Sequence, residues 1–227
     1  MLKLKNTSSS TAVATFAPPF TVLLFCSALA LMLVFMLGRS PQVSAQTETP
    51  TAAVEKVVNT ILGILRSPDF DLAKDGPTIS AEVKRGFDSL AMAQSVLSTN
   101  WKQATPEQQA EFEELMLKTL EHNYLGRLTE YSNESVEFKN EQVTDNRATV
   151  NSVVISSKVK GPIPVNYKLR KRSDGWFVYD VEVENVSMIS TYRETYRSIV
   201  SRDGIDGLLE QMRTQLSKLA PTTAPSA

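Results

Sequence analysis

The most informative part of the sequence is residues 163–185, which read IPVNYKLRKRSDGWFVYDVEVEN. Apolar and polar side chains alternate in both halves of this segment, and a period of two predicts β-strands. Between the halves stands Ser173-Asp174-Gly175, a combination typical of a tight turn. Strands joined by so short a link pair in antiparallel fashion. The segment therefore predicts a β-hairpin with strands over 163–171 and 176–185.

The two strands divide their side chains between an apolar face and a charged face. We expect the apolar face to carry Val165, Tyr167, Leu169, Phe177, Tyr179, Val181 and Val183. We expect the charged face to carry Asn166, Lys168, Arg170, Asp180, Glu182 and Glu184. A sheet with this pattern has one face toward solvent and one face covered by other elements.

Two further strands are predicted before this hairpin, over 135–142 and 147–158. The links at Thr144-Asp145-Asn146 and Lys160-Gly161-Pro162 are short and rich in turn-forming residues. Four consecutive strands with short links form an antiparallel meander.

The residues before the sheet predict helices, because apolar residues recur there at helical spacing. The predicted helices cover 51–66, 80–87 and 89–101. The clearest boundary is Thr105-Pro106-Glu107-Gln108, which has a capping box and a proline at the first helical position. The long amphipathic helix that follows carries apolar residues at steps of four as far as Leu128.

Helical spacing returns after the sheet, at Met188. Asp203-Gly204 divides this last part into two helices. Helices before and after an antiparallel sheet indicate the α+β class. We expect one domain over 51–219.

Both ends of the chain are predicted to lie outside that domain. An uncharged apolar run over 20–37 and the small residues of Val43-Ser44-Ala45 predict a signal peptide over 1–45, cleaved after Ala45. The alternative is an uncleaved anchor, since this run is just long enough to span a bilayer. Residues 46–50 and 220–227 are rich in Pro, Thr and Ala, and we expect both to be disordered.

Composition excludes several functions. Cys26 is the only cysteine and lies in the predicted leader, so the mature chain offers no disulfide and no thiol nucleophile. His122 is the only histidine, which gives no basis for a metal site. Cleavage would leave 21 basic against 25 acidic residues, and that balance argues against nucleic-acid binding.

Several motifs, taken in order, resemble one known family. The motifs are Phe87-Asp88, Thr105-Pro106-Glu107-Gln108, Trp176-Phe177-Val178-Tyr179-Asp180-Val181, Asn185-Val186-Ser187 and Asp203-Gly204-Ile205-Asp206-Gly207-Leu208. This set is similar to the MlaC/Ttg2 (toluene tolerance) family over about 54–216. The chain departs from the family at Asn185, where glycine is usual, and Asn also tolerates left-handed backbone.

The resemblance implies a periplasmic phospholipid carrier that needs no cofactor beyond its lipid cargo. It implies an NTF2-like sheet of four strands and C-terminal helices enclosing an apolar cavity. It also implies two docking partners, an inner-membrane Mla-type ABC transporter with its MCE-domain subunit and an outer-membrane MlaA-type lipoprotein complex. Such a carrier maintains the lipid asymmetry of the outer membrane.

The candidate lipid-binding residues are apolar or tyrosine side chains of the sheet and the neighbouring helices. They are Tyr124, Leu128, Val154, Tyr167, Leu169, Tyr179, Val181, Val186, Met188, Tyr192 and Ile199. The tyrosines among them, together with Tyr196, are candidates for a ring around the mouth. The alternative is that these residues form an ordinary core, because every domain packs apolar stripes.

Two other functions stay open at this point. NTF2-like folds also host enzymes, but strand alternation separates Asp180 from Tyr179 and leaves fold analogy as the only support. A membrane-anchored envelope scaffold would follow if the run over 20–37 were retained.

Overall fold

The structure, a computed structural model, describes residues 48–131 and 133–219. The predicted signal peptide and the predicted C-terminal tail lie outside the described residues. The helices are α1 (Pro50–Leu65), α2 (Leu72–Gly86), α3 (Ser89–Leu97), α4 (Pro106–Leu125) and α5 (Met188–Leu219), with 3₁₀ turns at Ser98–Gln103 and Gly126–Glu130. The strands are β1 (Ser135–Thr144), β2 (Arg147–Ile155), β3 (Ile163–Arg172), β4 (Gly175–Val183) and β5 (Val186–Ser187).

The strands form one antiparallel sheet in the order β1-β2-β3-β4-β5. The predicted α+β class and the predicted meander are confirmed. The strand number differs, because Val186–Ser187 turns back after β4 and adds a short fifth strand. Glu184 and Asn185 both have positive φ, 51° and 66°, as a two-residue hairpin turn requires.

Helix α1 begins within the segment predicted to be disordered. The Thr49 hydroxyl accepts a hydrogen bond from the Ala52 N–H at 3.1 Å, and Pro50 occupies the first turn, where its missing N–H is not needed. Thr49 and Pro50 therefore belong to the helix and not to a disordered segment.

Helix α2 begins eight residues before the predicted start at Ser80. The Asp71 carboxylate caps it by accepting from the Lys74 N–H at 2.9 Å. Pro77 lies inside this helix. The cap at Asp71 sets the start of the helix.

The capping box before α4 is confirmed. The Gln108 N–H donates to the Thr105 hydroxyl at 3.2 Å, and the Thr105 N–H donates to the Gln108 side chain at 2.9 Å. The helix ends at Leu125, and a 3₁₀ turn replaces its predicted last residues up to Leu128.

The register of β3 against β4 contains a β-bulge. Lys168 pairs with Asp180 and Leu169 pairs with Val178, so Tyr179 has no partner in β3. An extra residue on one strand reverses the alternation beyond it. The prediction that Phe177 and Tyr179 share a face with Tyr167 is therefore wrong, and Trp176 and Val178 take that side.

One face of the sheet packs against α1, and we call it the α1 face. Its central side chains are Ala148, Val150, Tyr167, Leu169, Trp176, Val178 and Val181. Val54 of α1 is buried among them. This cluster is the first of two cores.

The second core lies among α3, α4 and α5. It contains Met92, Val96, Phe112, Met116, Ile189, Leu208, Leu209 and Met212. Helix α5 contacts the sheet at β4 and β5. Helix α1 covers the centre of the apolar face, and α5 packs on α3 and α4.

Two buried carboxylates join the helices to the sheet. Asp88 caps α3 through the Ala91 N–H at 2.9 Å and pairs with Arg170 of β3 at 3.0 Å. Asp180 accepts from the Ile189 N–H of α5 at 3.1 Å and from the Ser187 hydroxyl at 2.7 Å. Each carboxylate satisfies backbone donors at a helix start, where negative charge is favourable.

Helix α5 consists of two segments separated at Gly204. Gly204 has φ 73° and ψ −177°, a conformation that is essentially restricted to glycine. A Cβ atom at Gly207 would lie 2.3 Å from the Cβ of Asp203. The predicted break at Asp203-Gly204 is confirmed, and these two glycines make the tight approach possible.

Replacing Gly204 by Ala is expected to lower the free energy of unfolding by about 1–3 kcal/mol, because alanine is strained in this conformation. Gly63 is the matched control, since it lies in an exposed part of α1 with no atom within 4 Å of its Cβ position. Gly63→Ala should raise stability by about 0.5–1 kcal/mol. Urea denaturation of the two variants checks this, and equal effects would contradict the account of the turn.

Candidate functional site

Helix α1 is held over the sheet at both of its ends. At its start, the N–H and hydroxyl of Thr51 donate to the carboxylate of Glu141 in β1, at 2.8 and 2.6 Å. At its end, Arg66 Nε donates to the Tyr131 hydroxyl at 3.1 Å, and its Nη2 donates to the Glu134 carbonyl at 3.4 Å. Both attachments lie on the β1 side of the sheet, because Glu134 directly precedes β1.

Coverage of the α1 face falls toward β5. Val150 and Leu169 are fully buried near the centre. Val183 and Val186, which pair with each other across the β4–β5 turn, are 45% and 64% exposed. Helix α1 therefore covers only part of this apolar face.

Partly covered side chains lie between the buried centre and the exposed end. Val154, Tyr167 and Val181 are half-buried there, and Tyr167 pairs directly with Val181. The rings of Tyr167 and Phe138 lie 6.4 Å apart. Burial raises the pKa of Tyr167, and a hydrogen bond with Ser152 partly offsets that rise. The phenol stays neutral in this apolar setting.

Five of the predicted lipid-binding residues thus share the α1 face. They are Val154, Tyr167, Leu169, Val181 and Val186. Leu169 is part of the solid core beneath α1, and Val186 is at the exposed edge.

A second group of predicted residues lies between the helices. Tyr192 accepts a hydrogen bond from the Asn123 side chain at 2.9 Å. Its ring lies 5.7 Å from that of Tyr196. Burial, followed by the proximity of Tyr192, raises the pKa of Tyr124. Met188 and Ile199 pack against the helical core.

The structure does not bring all the predicted tyrosines together. Tyr179 accepts a hydrogen bond from Arg147 at 3.1 Å, and that arginine pairs with Arg170 on the face opposite α1. Tyr196 is buried in the helical core. Leu128 lies half-buried in the 3₁₀ turn after α4. Of the predicted tyrosine ring, Tyr124, Tyr192 and Tyr196 lie together, whereas Tyr167 and Tyr179 lie elsewhere on the sheet.

Two residues of this region were missing from the sequence prediction. Val58 of α1 and Phe138 of β1 both pack against the core of the α1 face. Each lies in a correctly predicted helix or strand, but the sequence did not show that α1 is the covering helix. Knowing that α1 covers this face would have identified Val58 as a candidate lipid-binding residue.

The partly covered surface offers apolar contact and one phenol, and the described residues supply no further reactive group there. Within residues 48–131 and 133–219, no group of three His, Cys, Asp or Glu side chains is placed to hold a metal ion. Across the same residues, no helix has the length and hydropathy needed to cross a bilayer. A polar surface depression of about 310 Å³ lies on α5, far along the chain from this surface, and is lined by Glu210, Gln211, Thr214, Gln215 and Lys218.

A protein-family model described as "MlaC protein" matches residues 55–214, which is more than half of the chain. The chain belongs to the MlaC family. The match covers all the described elements except the first turn of α1 and the last turn of α5. The family resemblance drawn from the sequence motifs is confirmed.

Two curated relatives agree with membership of the MlaC family. The chain is 29% identical over 127 residues to the intermembrane phospholipid transport system binding protein MlaC of Haemophilus influenzae. This match covers 54% of the chain and 59% of that protein, less than two thirds of its length. The chain is 22% identical over 180 residues to toluene tolerance protein ttg2D of Pseudomonas putida, covering 77% of the chain and 83% of that protein.

A solved structure is also similar to this MlaC-family chain. It is a phospholipid-binding protein from Ralstonia solanacearum in complex with a phospholipid. The two share 27% identity and superpose with a TM-score of 0.67, over 74% of this chain and 97% of the other.

Stability should depend on alkaline pH through Tyr196. Burial, followed by the proximity of Tyr192, raises the pKa of Tyr196 to about 12, whereas an unfolded tyrosine ionises near about 10. As the pH rises, the unfolded chain releases the Tyr196 proton before the folded protein does. The stability contributed by the neutral phenol is therefore complete below pH ~10 and is lost as the pH rises toward ~12. A shift of two pKa units corresponds to a loss of about 2–3 kcal/mol in the free energy of unfolding.

Urea denaturation at about pH 8 and about pH 11 tests this expectation. Tyr196→Phe should lose about 1 kcal/mol of stability at the lower pH, because its hydrogen bond with Thr119 is removed. Its stability should then decline less steeply with pH than that of the natural protein. Equal declines in the two proteins would show that Tyr196 does not carry this dependence.

Proposed function

We propose that this chain carries phospholipid across the periplasm, with the acyl chains held on the partly covered part of the α1 face. One observation carries the proposal. The apolar face is buried by α1 around Val150, Leu169 and Val178 and is exposed at Val183 and Val186, in a chain of the MlaC family. The similar Ralstonia solanacearum protein was solved in complex with a phospholipid, which supports lipid as the ligand.

The physical need for such a surface follows from the cargo. Exposing an acyl methylene to water costs about 0.8 kcal/mol, and a two-chain phospholipid has on the order of 30, so free escape costs roughly 20 kcal/mol. An apolar surface can replace the bilayer without any catalytic group. Val154, Val181 and Val183 are aliphatic, and the neutral phenol of Tyr167 adds little polarity.

The buried carboxylates support a carrier over an enzyme. A site for general acid–base chemistry needs a carboxylate that can reach a substrate. Asp88 and Asp180 are instead occupied by helix N–H groups and by Arg170 and Lys168. Both lie away from the α1 face.

The setting of this carrier is part of the same proposal. The apolar run over 20–37 and the small residues before Gln46 support export to the periplasm with removal of the leader. The family resemblance supports two docking partners, an inner-membrane Mla-type ABC transporter with its MCE-domain subunit and an outer-membrane MlaA-type lipoprotein complex. Together they would maintain the lipid asymmetry of the outer membrane.

Protein purified from an envelope fraction is expected to contain phospholipid. Mass spectrometry of the intact complex under native conditions, and of its organic extract, measures this directly. We expect about one phospholipid, or lipids with an equivalent number of acyl chains, per protein molecule. The absence of lipid, together with failure to load it from vesicles, would remove the basis of the proposal.

Replacing Val154 by Glu should strongly reduce lipid retention. A carboxylate beside acyl chains loses its hydration, and even a neutral polar group buried without a partner costs roughly 2–7 kcal/mol. Val154 is half-buried near the open part of the α1 face, so the variant should still fold with solvent reaching the new charge.

The matched control is Val143→Glu. Val143 pairs with Ala148 on the α1 face but lies at the other end of the sheet, where it is exposed. This variant should retain lipid at the natural level. Equal retention by both variants, with both folded by circular dichroism, would place the acyl chains elsewhere.

A further inference from the structure

Two hydroxyl groups lie among the aliphatic residues of the α1 face. Ser152 pairs with Phe138 of β1 on one side and with Val165 of β3 on the other, and it is 2% exposed. Tyr167 lies in the adjacent row of the sheet, where it pairs with Val181. A hydroxyl group that is buried among apolar neighbours needs a hydrogen-bond partner.

The direction of the hydrogen bond between these two residues follows from a third contact. The Ser152 hydroxyl donates to the Val165 carbonyl at 2.8 Å, and a serine hydroxyl has only one proton to donate. In the hydrogen bond between Ser152 and Tyr167, the phenol is therefore the donor and the serine oxygen is the acceptor. Ser152 is held by its bond to the backbone, whereas the phenol proton can turn about its C–O bond to a second acceptor.

Tyr167 lies where the proposed function places the acyl chains. It is half-buried, with the fully buried Val150 beside it in β2 and the exposed Val183 in the next row of β4. Val154 and Val181 line the same part of the surface, and their aliphatic side chains offer no hydrogen-bond donor. The phenol is thus the group there that can donate to a ligand.

The acyl chains of a phospholipid each begin at an ester carbonyl, which accepts hydrogen bonds from water at the surface of a bilayer. When the chains move onto an apolar protein surface, that carbonyl loses its water. An acceptor left without a partner in such a place is costly. A donor beside the chains removes this cost for an ester-linked lipid, whereas an ether-linked lipid has no carbonyl to satisfy.

We propose that the Tyr167 hydroxyl donates a hydrogen bond to an ester carbonyl of the bound phospholipid, and that this bond favours ester-linked over ether-linked lipids. This inference rests on the proposed function. In the empty protein the phenol donates to Ser152, and on loading it turns to the ester. Ser152 keeps its bond to the Val165 carbonyl throughout, so neither hydroxyl proton is left without an acceptor.

Tyr167→Phe tests the proposal on the full chain, because it removes the hydroxyl and keeps the ring. The natural protein and the variant are loaded from vesicles that contain equal amounts of two phosphatidylglycerols with saturated chains of equal length. One lipid is the ester-linked diacyl form and the other is the ether-linked dialkyl form. Native mass spectrometry separates the two complexes by mass. Any difference in how readily the two lipids leave the vesicle affects both proteins equally and cancels in the comparison.

We expect the ratio of bound ester-linked to bound ether-linked lipid to fall by about tenfold in Tyr167→Phe, the effect of one hydrogen bond. The matched control is Tyr179→Phe, which removes a phenol on the face opposite α1, where it accepts from Arg147. The control should leave the ratio unchanged. An unchanged ratio in Tyr167→Phe, or an equal fall in both variants, would overturn the proposal.

Ser152→Ala separates donation to the lipid from a purely structural pair. This variant removes the acceptor that competes for the phenol proton, so the ratio should stay at the natural level or rise. A pair that only stabilises the sheet would lower the free energy of unfolding in both Ser152→Ala and Tyr167→Phe and leave both ratios unchanged. A fall in Ser152→Ala as large as that in Tyr167→Phe, with both folded by circular dichroism, would contradict the proposal.

The two proposals fail in different ways. If the chain is not a lipid carrier, neither phosphatidylglycerol is loaded by the natural protein. If only the role of Tyr167 is wrong, both lipids are loaded, and their ratio is the same in the natural protein and in Tyr167→Phe.

Discussion

The extra residue Tyr179 in β4 determines which side chains share the α1 face. Without this bulge, Leu169 would pair with Tyr179, and Phe177 would take the place of Trp176 and Val178 on the α1 face. With the bulge, Val178 pairs with Leu169 on the α1 face, and Val181 pairs with Tyr167 on the same face. One continuous apolar face thus runs from the core to the β5 edge, and Tyr179 and Asp180 lie on the face opposite α1.

The two faces of the sheet consequently have different tasks. On the face opposite α1, Asp88 and Asp180 bind helix N–H groups and pair with Arg170 and Lys168. Those bonds attach a separate helical core to β4 and β5, and that core packs without help from the apolar face. Helix α1 covers the centre of that face, and its attachments at Thr51 and Arg66 both lie near β1. A partly open apolar surface is the result.

The sequence was a good guide wherever a local pattern decided the structure. The capping box at Thr105, the break at Gly204 and the strand boundaries depend on neighbouring residues. The bulge depends on the register between two strands, which alternation within one strand does not reveal, so Tyr179 was placed on the wrong face. The packing of α1 on the sheet likewise joins residues that are far apart in the sequence. Local patterns do not reveal it, and for that reason Val58 was missed.

The central claim is that acyl chains lie on the α1 face between the buried centre and β5. Photo-crosslinking with a phospholipid that carries a diazirine in its acyl chain, followed by peptide mapping, tests this most directly. The account predicts labels on β2, β3 and β4, at residues such as Val154, Tyr167 and Val181, and on Val58 of α1. Labels confined to the helical core around Phe112, or to the face that carries Arg170, would contradict it.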